Sequence, residues 1–281
     1  MRRILFLLLI LVSCAKTWQP AHVENLVVEG WIESDGYPLV MLTTSVATDT
    51  DIQSVDSLES HLLRWAKVTV SDGDTTIVLT GRHNRKYFPP YIYSSTRMIG
   101  KPGKTYYLTV DYASFHATAS TTVPQPRELD ALRAERIEGS DTLYNLTARF
   151  TDPRDSKDYY KFFLRVQGKD STFVPAFLGN VDDAVLDGPA AIPLHRGSSI
   201  RNRSLVQPFV DGERVTVRFC TLDENAFRFW KEFEEMSALS TSPVFQTSFN
   251  PPSNVKGALG YWAGYGVRDY TLTIGATTHQ D

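Results

Sequence analysis

From Leu26 onward the chain is built of short runs in which apolar and polar residues alternate, each stopped by glycine, proline or aspartate. Runs of this kind pair into sheets rather than coil into helices. Leu26 to Ile32 and Pro38 to Thr43 flank the turn residues Ser34, Asp35 and Gly36. Lys67 to Ser71 and Thr75 to Leu79 flank Asp72-Gly73, a dipeptide that tolerates the positive φ angles of a tight hairpin. Pro102-Gly103 introduces Lys104 to Val110, and Phe115 to Val123 supplies a return strand. Leu58, Leu62 and Trp65 recur at helical spacing, which predicts a short helix over 57–65. Six or seven strands within about 100 residues predict an immunoglobulin-like or fibronectin-like β-sandwich over 25–124.

Pro124-Gln125-Pro126 stiffens the chain and ends the last of these strands, so a domain boundary is expected there. The second domain, 125–281, is again β-rich. Leu143 to Phe150, Tyr159 to Val166, Arg214 to Cys220 and Tyr270 to Ile274 carry the branched and aromatic residues of strands. One helix is inserted near 223–238: Thr221 to Glu224 has the capping-box form, and Phe227, Trp230 and Phe233 or Glu234 follow at helical spacing. Residues 175–208, rich in Asp, Gly, Pro and Arg, read as long loops. The expected class is therefore mainly β, a sandwich followed by a second β-rich domain with one helix.

Composition narrows the partners. With 281 residues, 42% of them apolar and 12% aromatic, the chain can bury a sizeable core. Its net charge of −3 carries no basic footprint for nucleic acid. There are two cysteines, Cys14 and Cys220. Cys220 closes an alternating run and reads as a small buried strand residue; a reactive thiol is the competing reading.

Arg2 and Arg3 precede an unbroken apolar run from Ile4 to Val12, too short for a bilayer, which needs roughly 20 such residues. It ends in Leu11-Val12-Ser13-Cys14, which resembles the lipobox of bacterial lipoproteins. The resemblance implies a signal peptide over 1–13, cleavage before Cys14, lipidation of that thiol and a tether over 14–24. Several acyl chains anchor stably where a single one holds only marginally. The alternative is an ordinary secretory peptide that happens to contain a cysteine.

The residues offer little catalytic apparatus. Six histidines (His22, His61, His83, His116, His195 and His279) include no HExxH pair, and no GxSxG elbow is present. Gly257, Gly260, Gly264 and Gly266 match neither GxGxxG nor GxxxxGK[ST], so close packing of backbone against aromatic rings is expected for them. Asp152, Asp155 and Asp158 recur at every third residue, unlike the alternate ligands of an EF-hand. Asp182, Asp183 and Asp187 are a calcium candidate against the default of a solvated loop. No cofactor is expected. Aromatic residues are the remaining signal: Tyr87, Phe88, Tyr91 and Tyr93 surround two prolines, and Tyr261, Trp262 and Tyr265 form a second group. They are either a platform for a sugar or peptide, or rings that pack the ends of the domains.

The stretch from Pro251 to Tyr265, PPSNVKGALGYWAGY, resembles a pattern of a Bacteroidota envelope-lipoprotein family, domain of unknown function 4249. In matching order stand Cys14 shortly before Leu26-Val27-Val28-Glu29-Gly30, Ala66 to Val70, Pro102 to Leu108, Thr122-Val123-Pro124, Asp152-Pro153 before Tyr159-Tyr160, and Phe227, Phe229 and Trp230. Ala258, Ala263 and Trp262 depart from the pattern, which favours glycine at the first two and phenylalanine at the third. The resemblance implies an outer-membrane lipoprotein, often encoded beside a TonB-dependent transporter, and no catalytic residues carry over. The expected function is a non-enzymatic, lipid-anchored accessory that captures ligand for such a transporter or braces it. An adhesin-like or structural envelope protein and a glycan or peptide hydrolase are the alternatives. The expected location is the outer membrane, with either leaflet open.

Overall fold

The computed structural model describes residues 24–45, 59–153, 156–182, 184, 186, 188–196, 207–239 and 252–276. The span expected as a signal peptide, Cys14, most of the span expected as a tether, Asp155, Asp183 and Asp187 lie outside the described residues. The first half forms strands β1 (Leu26–Glu33), β2 (Leu39–Thr44), β3 (Lys67–Ser71), β4 (Thr76–Val78), β5 (Thr80–His83), β6 (Tyr91–Ser94), β7 (Thr105–Tyr112) and β8 (Phe115–Thr122). The second half forms β9 (Ala131–Arg136), β10 (Leu143–Thr151), β11 (Tyr159–Val166), β12 (Val174–Asp182), β13 (Pro189–Arg196), β14 (Phe209–Val210) and β15 (Arg214–Leu222). Helix α1 (Glu224–Leu239) and β16 (Leu259–Thr273) follow. The protein is mainly β, with one inserted helix among the described residues.

The expected sandwich is present. A small sheet in the order β4-β3-β7-β8 faces the β16-β1-β2-β6-β5 part of a large sheet. Alternation drives the packing: Leu26, Val28 and Ile32 of β1, Val68 and Val70 of β3, and Tyr106, Leu108 and Val110 of β7 point into one core. At the Asp72-Gly73 turn, Gly73 has φ 94° and the Asp72 carboxylate accepts the Thr75 N–H at 2.8 Å. The 25–124 span supplies the whole small sheet but only four strands of the facing layer. The fifth is β16, which pairs with β1 in parallel and places fully buried Trp262 in the same core.

The remainder of the large sheet runs β14-β10-β13-β12-β11-β15-β16, with β9 added on β10. Its inner face encloses a second core of Tyr144, Leu146, Phe150, Tyr160, Phe162, Leu164, Val217 and Phe219. The stretch expected as loops over 175–208 instead contains β12 and β13. Pro175 and Pro193 would break an isolated strand, but β11 and β10 provide ladders that hold them in place, while Gly179 sits in an irregularity of the β11 ladder where its N–H donates to Glu234 at 3.0 Å. Of the helix expected over 57–65, the described residues begin at Glu59 and turn immediately. Leu62 bridges to Thr43 of β2 and the Leu63 N–H bonds to the Leu42 carbonyl at 3.1 Å.

Helix α1 covers the other face of β11, which explains why nearly all of that strand is buried. Its cap is Asp223 rather than Thr221: the Asp223 carboxylate accepts the Ala226 N–H at 2.8 Å and the Thr121 hydroxyl at 2.9 Å. Thr221 still belongs to β15. Among the described residues no helix is long and apolar enough to cross a membrane.

Candidate functional site

The two aromatic groups do not form one surface. Tyr93, Tyr261, Trp262 and Tyr265 are buried, and Tyr87, Phe88 and Tyr91 are half-buried. The packing reading of these rings describes what the fold does with them. Trp262 faces the sandwich core and donates from Nε1 to the Tyr106 carbonyl at 3.0 Å. Asn254 clamps its backbone, accepting from the Trp262 N–H at 2.9 Å and donating to its carbonyl at 2.8 Å. Tyr261 and Tyr265 point to the opposite face of β16, under α1, where Trp230 Nε1 donates to the Tyr265 hydroxyl at 2.9 Å.

That opposite face carries a cluster missed in the sequence. Glu29, Trp31 and Glu33 share the outer face of β1 by period two, and β16 brings Tyr261 and Tyr265 alongside Glu29 and Glu33. Tyr261 donates to Glu29 at 3.2 Å, and burial pushes the Glu29 carboxyl up to about 7. Glu33 is also raised by burial, opposed by Arg218, whose Nη1 donates to it at 2.6 Å. The rest of the Arg218 fork grips Asp269 with two 2.9 Å bonds, and its guanidinium lies 3.9 Å from the Phe173 ring centre. Tyr87 reaches this face and its ring stands 6.2 Å from Trp31, while Ser171 donates to the Lys86 carbonyl, joining loops of both halves. The arrangement holds charge in a partly apolar setting through paired hydrogen bonds. The period-two acids of β1 were a readable signal; the Arg218 partner, 185 residues away in sequence, was not.

A second feature was also missed. Trp65 is 88% exposed on a segment that is firmly held from below. Tyr93 donates to the Leu63 carbonyl at 2.7 Å and accepts the Ala66 N–H at 3.1 Å, and Tyr91 donates to the Arg64 carbonyl at 3.1 Å. Two tyrosines expected in the platform therefore support a ring that was not. With Glu59, Ser60, Leu62, Arg64 and Tyr112, Trp65 rims an open depression of about 380 Å³.

Other singled-out residues take structural places. Cys220 is free and fully buried, and burial pushes its thiol well up, away from reactivity. Asp182 ends β12 and its carboxylate accepts the Ala184 N–H at 3.0 Å. Among the described residues no group of His, Cys, Asp and Glu is arranged to hold a metal. The glycines of β16 and the turn before it approach backbone rather than aromatic rings: a Cβ at Gly264 would lie 2.6 Å from the Thr122 carbonyl, and one at Gly266 equally close to that of Pro124. They make room for the chain leaving β8 to cross over β16.

Fold and site together define a mainly β protein in which a sandwich and a second sheet-enclosed core share one long strand, with a helix sealing an acidic and aromatic outer face. The chain belongs to the family described as domain of unknown function (DUF4249), which matches residues 18–271. No curated protein matches it.

Proposed function

We propose that this protein is a lipid-anchored, non-catalytic component of the cell envelope that serves a TonB-dependent outer-membrane transporter as an accessory, and that bracing rather than ligand capture is its main part. The supporting observation is that the family spans residues 18–271 directly behind the Leu11-Val12-Ser13-Cys14 lipobox, so nearly the whole folded chain is the unit that the anchor carries. Bracing is favoured over capture because four of the rings suited to stacking a sugar, Tyr93, Tyr261, Trp262 and Tyr265, are committed to internal packing. The depression around Trp65 is open and does not enclose a small molecule.

The test is a pull-down of the full-length protein from detergent-solubilised envelopes. Stoichiometric recovery of a TonB-dependent barrel is expected. Recovery without any barrel partner, together with turnover of a glycan or peptide by the purified protein, would replace the proposal with a hydrolase.

A further inference from the structure

One exposed ring is ordinary on a protein surface; three circumstances set Trp65 apart. The first is rigidity. Its segment is fastened to the Leu42 carbonyl through Leu63 N–H and to the hydroxyls of Tyr91 and Tyr93, while buried Leu63 plugs the core beneath it. Such a ring is displayed with little freedom to fold back.

The second is position. Ser45 N–H donates to the Asn25 carbonyl at 2.8 Å and Thr44 N–H to the His61 carbonyl at 2.9 Å, so the segment bearing Trp65 lies at the end of the sandwich where the chain first joins the fold. The start of β3, the β7–β8 turn and the Gly257 turn against His116 lie at that same end. The tether over 14–24 spans at most about 35 Å when fully extended, which keeps this end close to whatever holds Cys14.

The third is charge. Among the described residues, Arg64, Lys67 and Lys256 on this end are matched by Glu24, Glu59 and Asp111, leaving no dominant sign to draw a nucleic acid or a strongly anionic surface. Indole is the side chain that settles at the boundary between headgroups and acyl chains, where one edge is apolar and the N–H remains wet.

We propose that Trp65 is a membrane-seating residue: it inserts into the interfacial layer of the bilayer that carries the lipid anchor and fixes the orientation of the sandwich upon it. This rests on the lipid-anchor reading above. A single ring binds a bilayer feebly from solution, but the anchor makes the second contact intramolecular, and a high effective concentration lets a small contact hold.

The experiment uses the mature acylated protein, with Trp18→Phe to silence the tether, in phosphatidylcholine vesicles brominated on the acyl chains close to the headgroups. Mass spectrometry first reads the acyl groups. Quenching of tryptophan emission is expected, and Trp65→Phe should return it to the level of bromine-free vesicles with an unchanged melting temperature. An unacylated chain defeats the anchor and the seating together. Quenching in an acylated chain that is absent, or that ignores position 65, defeats the seating alone. So does a photo-crosslinker at position 65 that captures a barrel protein and no lipid in intact envelopes, which would assign the ring to a protein contact.

Discussion

At the scale of single residues, half-buried Glu29 and buried Lys161 hold most of the testable chemistry. Glu29 gives up its proton near 4.5 in the unfolded chain and near 7 in the fold. Within that window the fold binds more protons, so this group's contribution is complete below 4.5 and is lost as pH rises through about 7. Glu29→Gln is expected to remove this slope and to be the more stable protein at pH 8, by up to about 3 kcal/mol. Urea titrations of both proteins from pH 5 to 8 check it, and parallel curves would show that Glu29 titrates normally. Lys161 is fully buried, with its pKa lowered by burial; its Nζ reaches Glu234 and the Ala176 carbonyl, and lies 5.5 Å from the Trp230 ring centre. Glu234→Gln would strand that ammonium at a cost of about 3–5 kcal/mol. Lys161→Met added to it should recover most of the loss, because the glutamine oxygen can still accept the Gly179 N–H. Equal unfolding midpoints for the single and double variants would count against a buried ion pair.

Among the elements, β16 is the one on which the others depend. Its residues alternate between two destinations, Trp262 toward the sandwich and Tyr261, Ala263 and Tyr265 toward α1, while its far end pairs with β15 through Thr273. Gly260 sits at φ 107°, and a Cβ there would fall 1.9 Å from the Val28 carbonyl, inside the parallel ladder with β1. Strain and clash act together, so Gly260→Ala is expected to cost at least about 3 kcal/mol. A urea midpoint within error of the parent would mean that the ladder can shift to admit a methyl group. Helix α1 in turn explains strand β11: with one face on the second core and the other under the helix, it has no solvent side on which to alternate.

For the whole molecule, the linker does not behave as a free hinge. The Pro124 carbonyl lies over Gly266, Arg127 donates to Asp158 at 2.7 Å, and Leu129 N–H bonds to the Tyr270 hydroxyl at 2.8 Å. A protease site introduced at exposed Gln125 is therefore expected to yield two fragments that elute as one particle and part only in denaturant. Deleting 259–276 should abolish cooperative unfolding of the 25–124 sandwich, since its core loses Trp262 and β1 loses its parallel neighbour. Fragments that separate in native buffer, or a truncated chain whose near-ultraviolet signal still melts sharply, would establish two independent folding units.

The local code of this chain was enough to specify its class, the Asp72-Gly73 hairpin, the strands that alternate on one buried face and the α1 helix to within a residue of its observed start. Each depends on neighbours within a few positions: turn conformation, side-chain period and capping. Tertiary structure alone decided the rest. Breakers such as Pro193 stand in strands because distant ladders hold them, and the first half of β16 was hidden because glycine gives no β signal until a crossing chain requires its missing Cβ. Tyr91 and Tyr93 became supports, and Trp65 became the displayed ring, through hydrogen bonds spanning about 30 residues. Exposure and partnership are properties of neighbours in space, and for this sheet those neighbours come from opposite ends of the sequence.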